Sequence, residues 1–272
     1  MGDYDDWIGR ERVVEDRLTP RLVEELRVTL GPLVAPGGVP VGAQWCLAPD
    51  MLPASELGRD GHPRPGIYTP QLPLPRRMWA GGLLEFATPF EVDDLVTRRT
   101  RIADVQFKEG RSGPLGFVAV EHRYEAGGVL RLSERHDIVY REDPVPGQAA
   151  LPPQAEPWEV LKSWRVTPDA TMLFRYSAIS FNGHRIHYDH PYATGVEGYD
   201  GLVVHGPLQS VWMQNLAADL LGRLPARFSY RGLSPLTVGH EVAIEARAAE
   251  AGLALRVRRL SDNVVTMRAE AV

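Results

Sequence analysis

Between Gly206 and Leu224 the chain reads GPLQSVWMQNLAADLLGRL. Leu208, Val211, Trp212, Leu216, Leu220 and Leu221 recur at helical spacing and make a broad apolar face. A helix with such a face needs a sheet or other helices to cover it. Pro207 suits the first helical turn. Strand-like runs follow, RFSYRGLSPLTVGHEVAIEARAAE, LALRVRRL and NVVTMRAEAV. The second half is therefore expected to pack one long helix against an antiparallel sheet.

The first half repeats this order loosely. Leu18 to Leu30 reads as a helix, with Thr19 as N-cap, Pro20 at N1, and an apolar stripe of Leu22, Val23, Leu26 and Leu30. Gly31-Pro32 ends it. From Met78 onward come the β-rich runs LLEFATPFEV, LVTRRTRIADVQFKEG, LGFVAVEHRYEAGG and VLRLSERHDIVYR, with turns at Gly110 to Pro114 and Ala126 to Gly128. Pro89-Phe90-Glu91-Val92 and Pro235-Leu236-Thr237-Val238 echo one another, each with a second valine four residues on, Val96 and Val242. A helix followed by a curled antiparallel sheet, present twice, implies a tandem α+β architecture. Two segments stand outside it. Val34 to Pro75 is rich in Gly and Pro, and is either a functional loop or a wrapping connector. A Pro-rich linker runs around 142 to 157.

Composition narrows the function. A net charge of −5, with arginines scattered along the chain, gives no electrostatic grip on nucleic acid. The one cysteine, Cys46 in GAQWCLAP, excludes a disulfide framework and a cysteine-rich metal site, fits a reducing cytoplasmic home, and reads as a buried small hydrophobe. The N-terminus MGDYDDWIGRERVVEDR is acidic and has no signal-peptide core, and no run approaches a membrane span. A G-x-S-x-G elbow, a Walker loop and a glycine-rich dinucleotide turn are all missing.

The chemistry concentrates in YSAISFNGHRIHYDHPYA, Tyr176 to Ala193. Asn182 and His187 are five apart, a spacing that suits a turn aiming both side chains into one cleft. Imidazole titrates nearest neutrality and exchanges protons there. An amide cannot be the base, but it can hold a water by donating and accepting hydrogen bonds. GLVVHGPLQ supplies a second element: a strand-like run, then His205-Gly206-Pro207 and the helix start. The Gly206 amide at that N-terminus is placed to hold developing negative charge. His184, His187 and His190 at i, i+3 and i+6 fan around a helix, with Asp189 the nearby carboxylate, so no metal site is expected. His184, His190 and His205 also read as structural histidines satisfied by backbone carbonyls. Arg185 is either a surface ion pair or a clamp for a substrate anion.

Together, YSAISFNGHRIHYDHPYA, GLVVHGPLQ and SPLTVGHEV resemble the MaoC-like hydratases and dehydratases of the hotdog fold. The similarity is greatest to the branch with mesaconyl-C4-CoA hydratases and hydroxyacyl-thioester dehydratase type 2 enzymes. LPLPRRMWAGGLLEF and PFEVDDLVTRRTRI resemble that branch's degenerate first hotdog. The resemblance implies a double hotdog: a degenerate domain at 1–145, a linker at 146–157, and a hotdog with the hydratase motif at 158–272. It implies reversible hydration of a 2-enoyl thioester, with His187 as base, Asn182 at the position of the wider family's Asp, and Gly206 as the oxyanion amide. Arg185, His205, Tyr188, Arg76 and Arg77 become candidate substrate contacts, the arginines for a distal carboxylate. No cofactor beyond the thioester carrier is implied. The alternatives are a CoA thioester, an acyl-carrier-protein-bound chain, a thioesterase, and a non-catalytic acyl-binding module. The chain is expected to stand alone or pair as a homodimer.

Overall fold

A computed structural model describes residues 4–110, 113–142 and 152–272. The first half contains β1 (Glu11–Arg17), α1 (Pro20–Leu30), β2 (Arg76–Phe86), β3 (Leu95–Gly110), β4 (Gly113–Ala126) and β5 (Val129–Arg141). The second contains β6 (Lys162–Val166), α2 (Ala170–Ile179), α3 (His190–Gly195), α4 (Gly206–Leu221), β7 (Arg227–Gly232), β8 (Val242–Ala249), β9 (Gly252–Arg259) and β10 (Val265–Ala271). Most of the expected linker, residues 143–151, lies outside the described residues, as do Arg111 and Ser112 of the first expected turn. Among the described residues no helix is long and apolar enough to cross a membrane.

All ten strands form one antiparallel sheet, in the order β1-β3-β4-β5-β2-β7-β10-β9-β8-β6. The order is symmetric about the β2–β7 seam, so β1 to β5 answer β6 to β10 one for one. The sequence echo has a backbone counterpart. Asp93 and Gly239, each following the echo's valine, both adopt positive φ, +71° and +84°. Asp93 N–H donates to Leu18 C=O at 2.8 Å, and Gly239 N–H to Pro168 C=O at 3.1 Å. Leu18 and Pro168 precede the N-caps of α1 and α2, Thr19 and Asp169.

That register corrects one expectation. The first-half helix corresponds to α2, not to the long helix α4. The stripe of Val23, Leu26 and Leu30 is real and buried, and Thr19 Oγ1 caps it by accepting from Leu22 N–H at 3.2 Å. It belongs, however, to a short flanking helix that packs beside α2. Where α4 stands in the second half, the first has the connector 31–75, with short 3₁₀ helices at Ala43–Cys46 and Ala54–Glu56. Strand β1 was also unannounced. Its inward positions are Arg12, Val14 and Asp16, and the charged ones are held by Asp50 and by the Ala48 amide. Two charges among three inward residues erase the alternation that marks a strand, and they suit its place at the sheet edge.

The interior is built around α4. Leu208 through Ala218 are all buried, so the helix is enclosed all round rather than on one face. Its polar residues bond to their surroundings: Gln209 accepts from Thr266 Oγ1 at 2.7 Å, and Asn215 donates to Val41 C=O at 2.8 Å and accepts from Ala35 N–H. These bonds tie both β10 and the connector to the helix. The core continues across the seam to Leu18, Leu26, Leu84, Tyr124 and Leu132. Because Leu216 is fully buried there, Leu216→Ala is expected to lower unfolding free energy by about 2–5 kcal/mol. Urea titration at unchanged m checks it; a loss under about 1 kcal/mol would contradict the enclosure of α4.

Candidate active site

The motif folds as a chain of short, capped pieces. Asp169 caps α2 by accepting from Met172 N–H. After Ser180 the backbone turns at Phe181, φ +51°, and Asn182 Oδ1 accepts from His184 N–H at 3.0 Å. A single 3₁₀ turn, Arg185–His187, follows, and Asp189 caps α3 through Tyr192 N–H. The turn expected for Asn182 and His187 is thus present, and it carries His187 into the interior with a relative exposure of 6%.

Its imidazole is held in one tautomer. Nδ1 lies 2.7 Å from the carbonyl of Val203. A carbonyl only accepts, so Nδ1 carries the proton and Nε2 keeps its lone pair. Burial pushes the His187 pKa down to about 3, against the opposing bond to Val203, so the ring is neutral at physiological pH. The His205 ring stacks on it, with centroids 3.5 Å apart and planes at 20°. His205 is fully buried, and its Nε2 pairs with Ser177 Oγ at 2.8 Å. The next residue is Gly206, the first of α4, where helix geometry leaves the amide without an intrahelical acceptor. The two candidate groups, the His187 ring and the Gly206 amide, are therefore separated by one residue and one ring stack. A Cβ on Gly206 would lie 2.4 Å from Trp79 Cε3, so only glycine admits this approach of β2 to the helix start.

The other expected contacts are distributed differently. Arg76 is buried and paired with Glu197 at 3.2 Å and with Tyr199 Oη. Arg185 binds Asp189 through Nε and Nη2 and lies over the Tyr192 ring. Both guanidiniums are thus held by protein partners, and Arg185 takes the ion-pair alternative. Tyr188 is half exposed and donates to Gly183 C=O. Arg77 reaches the cleft, 3.8 Å from Asp60. His190 is exposed at the start of α3, whereas His184 meets His187 edge to face, with centroids 5.3 Å apart. Cys46 is buried, and desolvation lifts its thiol to about 12, in keeping with a packing role.

Asp60 and His62 join the site without being singled out in the sequence. The only signal was their place in GRDGHPRPG, within the long irregular segment. Asp60 Oδ2 is 3.4 Å from His62 Nδ1, and the His62 ring sits 4.3 Å from that of His184. The ligand-type atoms of Asp60, His62 and His184 all lie within 4.8 Å of one another. The Arg77 guanidinium beside the same carboxylate oxygen opposes a cation there, so Asp60 and His62 form a hydrogen-bonded pair with the His184 ring packed against it.

A neutral buried imidazole, stacked on the residue that precedes α4, is the candidate acid–base site of this sheet. The comparisons with known proteins agree. Residues 42–238 match the family model for hydroxyacyl-thioester dehydratase type 2. A mesaconyl-C4-CoA hydratase of Chloroflexus aurantiacus is 40% identical over 241 residues, 86% of this chain and 85% of that one. A MaoC-like dehydratase from Phytophthora capsici superposes with a TM-score of 0.70 at 14% identity, covering 98% of each chain. A Mycobacterium tuberculosis protein with a double hotdog fold gives 0.57 at 15% identity, covering 99% of this chain and 97% of that one. The chain belongs to the hydroxyacyl-thioester dehydratase type 2 family, with a hotdog fold, and it is a hydro-lyase acting on acyl thioesters.

Histidines whose pKa desolvation lowers set a pH dependence. Desolvation lowers His62, His122, His136, His184, His187 and His205 below the ordinary 6.5, His136 and His187 to about 3. Below 6.5 the unfolded chain binds protons that the folded chain refuses, so stability is full above that pH and lost as pH falls toward 3. Glu134 works the other way. Burial raises it to about 7, and its contribution fades as pH rises through that value, but it is one group against six. The urea midpoint is expected to fall steadily from pH 7.5 to pH 5; a level profile would contradict the neutral histidines.

Proposed function

We propose that this enzyme adds water reversibly to the 2-enoyl thioester of coenzyme A, and that its acyl group is short and carries a carboxylate. His187 Nε2 takes a proton from water as the water oxygen bonds to C3. The C2=C3 electron pair moves onto the thioester as an enolate, whose oxygen accepts from the Gly206 amide. The proton on His187 then passes to C2, so H and OH are added and nothing else is consumed. Asn182, its Oδ1 bound to His184, keeps its NH₂ to orient the water. The chain's own imidazole and amide supply this chemistry, with no cofactor beyond the thioester carrier. Chemistry on a soluble CoA ester fits a cytoplasmic enzyme, and a second copy is not required to complete the site.

The observation that favours a short, polar acyl group is the inner face of the first half's sheet. There Trp45 Nε1 donates to Glu134 at 2.9 Å, Thr100 pairs with His122 at 2.9 Å, and Arg98 binds Asp50 at 3.0 Å. Trp79 Nε1, His136 Nε2 and Tyr230 Oη are buried with no hydrogen-bond partner among the described residues. Trp79 stacks on Tyr230, meets His136 edge-on, and touches the helix start at Gly206. A long alkyl chain laid here would leave these groups unsatisfied, whereas a carboxylate would accept from them. The kinship to a mesaconyl-C4-CoA hydratase supports the same class of acyl group.

The test is a panel of a mesaconyl-type enoyl-CoA, crotonyl-CoA, a twelve-carbon enoyl-CoA and their carrier-protein forms. The dicarboxylic CoA ester is expected to exceed the twelve-carbon ester by about tenfold or more in kcat/KM. Preference for the long chain or for the carrier protein would reject the substrate assignment. His187→Ala is expected to lower hydration at least about 10²-fold with the fold intact. Retained activity would reject the assigned base.

A further inference from the structure

Each turnover makes His187 a cation in the interior, and the motif offers no carboxylate to face it. Position 182 is an amide already engaged by the His184 N–H. Asp189 spends Oδ2 on Arg185 and Oδ1 on the Tyr192 amide. Glu197 is bound by Arg76 and by Tyr192 Oη. A buried imidazolium without an anion is strongly disfavoured, so the charge must be met from another part of the chain.

The first half's connector brings one. Its turn at 58–62 is pressed against the motif, backbone to backbone. Arg185 N–H donates to Asp60 C=O at 2.8 Å, and Arg185 Nη1 to Arg59 C=O at 3.1 Å. A Cβ on Gly61 would lie 2.0 Å from the Gly183 oxygen, and one on Gly183 would lie 2.8 Å from the Gly61 oxygen. Gly61 also has φ +84°. Only a glycine pair permits this contact. It sets Asp60, His62, His184, His187 and His205 in one unbroken line, each ring against the next at centroid distances of 4.3, 5.3 and 3.5 Å. Asp60 ends the line and is partly open to solvent.

We propose that Asp60 is the counter-ion of the catalytic histidine: its carboxylate, acting through His62 and His184, stabilises the charge His187 acquires in each turnover and replaces a carboxylate at position 182. This rests on the hydration reading above and assigns Asp60 as a positioning residue supplied by the other half of the chain. Burial works to raise the Asp60 carboxyl, but its hydrogen bond to His62 and the Arg77 guanidinium beside it hold it below the usual range. It is therefore anionic at working pH. Arg77, at 3.8 Å, keeps it ionised and moderates its pull on the ring line.

The test compares Asp60→Asn, Asp60→Glu and the double variant Asp60→Asn with Asn182→Asp, on a thioester the wild type hydrates. Asp60→Asn is expected to lower kcat by about thirtyfold, with KM within about threefold. Its melting temperature should stay within about 3 °C of the wild type. Asp60→Glu should recover part of the rate. Asn182→Asp, which returns a carboxylate to the motif, should recover at least about fivefold in the Asp60→Asn background. If Asp60→Asn does not fold, Asp60→Ser takes its place in the same comparison. A kcat within about threefold of wild type would overturn the proposal. So would a loss that neither Asp60→Glu nor the carboxylate restored by Asn182→Asp repairs, or a stoichiometric metal ion present in the wild type and absent from Asp60→Asn. Failure of the wild type to hydrate any thioester would instead sink the functional reading beneath it.

Discussion

The enclosure of α4 is the constraint from which the rest follows. Eleven consecutive residues of one helix, Leu208 to Ala218, are removed from water, and no single sheet face can do that to a straight helix. The strands of the second half cover one side, and the connector of the first half, tied to Asn215, closes another. The helix start is thereby fixed in the interior, at the seam where β2 meets β7. His205 and Gly206 stand there because the core holds them, and the Val203 carbonyl just upstream orients His187. The geometry of the candidate site is a by-product of burying a helix.

The two halves have divided the work. They share the sheet order strand for strand, down to the positive-φ residue before β3 and β8. Only the second keeps a central helix. The space freed in the first half is taken by the connector and by the aromatic and charged side chains of β2, β4 and β5. Those groups make the inner face of the first half's sheet polar, and the connector's turn at 58–62 brings the Asp60 carboxylate to the motif.

The sequence made much of this legible, for identifiable reasons. Helices α1 and α4 announce themselves by apolar period and a proline in the first turn, and β3 to β5 by β-branched runs between turns. The His187 turn follows from its spacing to Asn182, and the helix start from His-Gly-Pro after an apolar run. What stayed hidden depends on long-range contact. Strand β1 is masked by Arg12 and Asp16, whose inward charges find partners only once Asp50 and Ala48 fold over them. The true counterpart of α1 emerges only from the strand register. Asp60 and His62 lie in a segment without periodicity, about 120 residues before the histidines they meet, and two glycines that touch across the fold carry no local signal. The sequence leaves Arg185 between an ion pair and an anion clamp, and the Asp189 and Glu197 partners of Arg185 and Arg76 are seen only in three dimensions.

The central claim is a single protonation state: His187 neutral, its proton on Nδ1 toward Val203, its Nε2 unprotonated. Nitrogen-15 NMR of the histidine-labelled protein, with His187 assigned by its substitution, reads this directly. The account predicts a protonated Nδ1 and a bare Nε2 for that ring, unchanged from pH 8 to about pH 5. A proton on Nε2, or titration near 6.5, would contradict it.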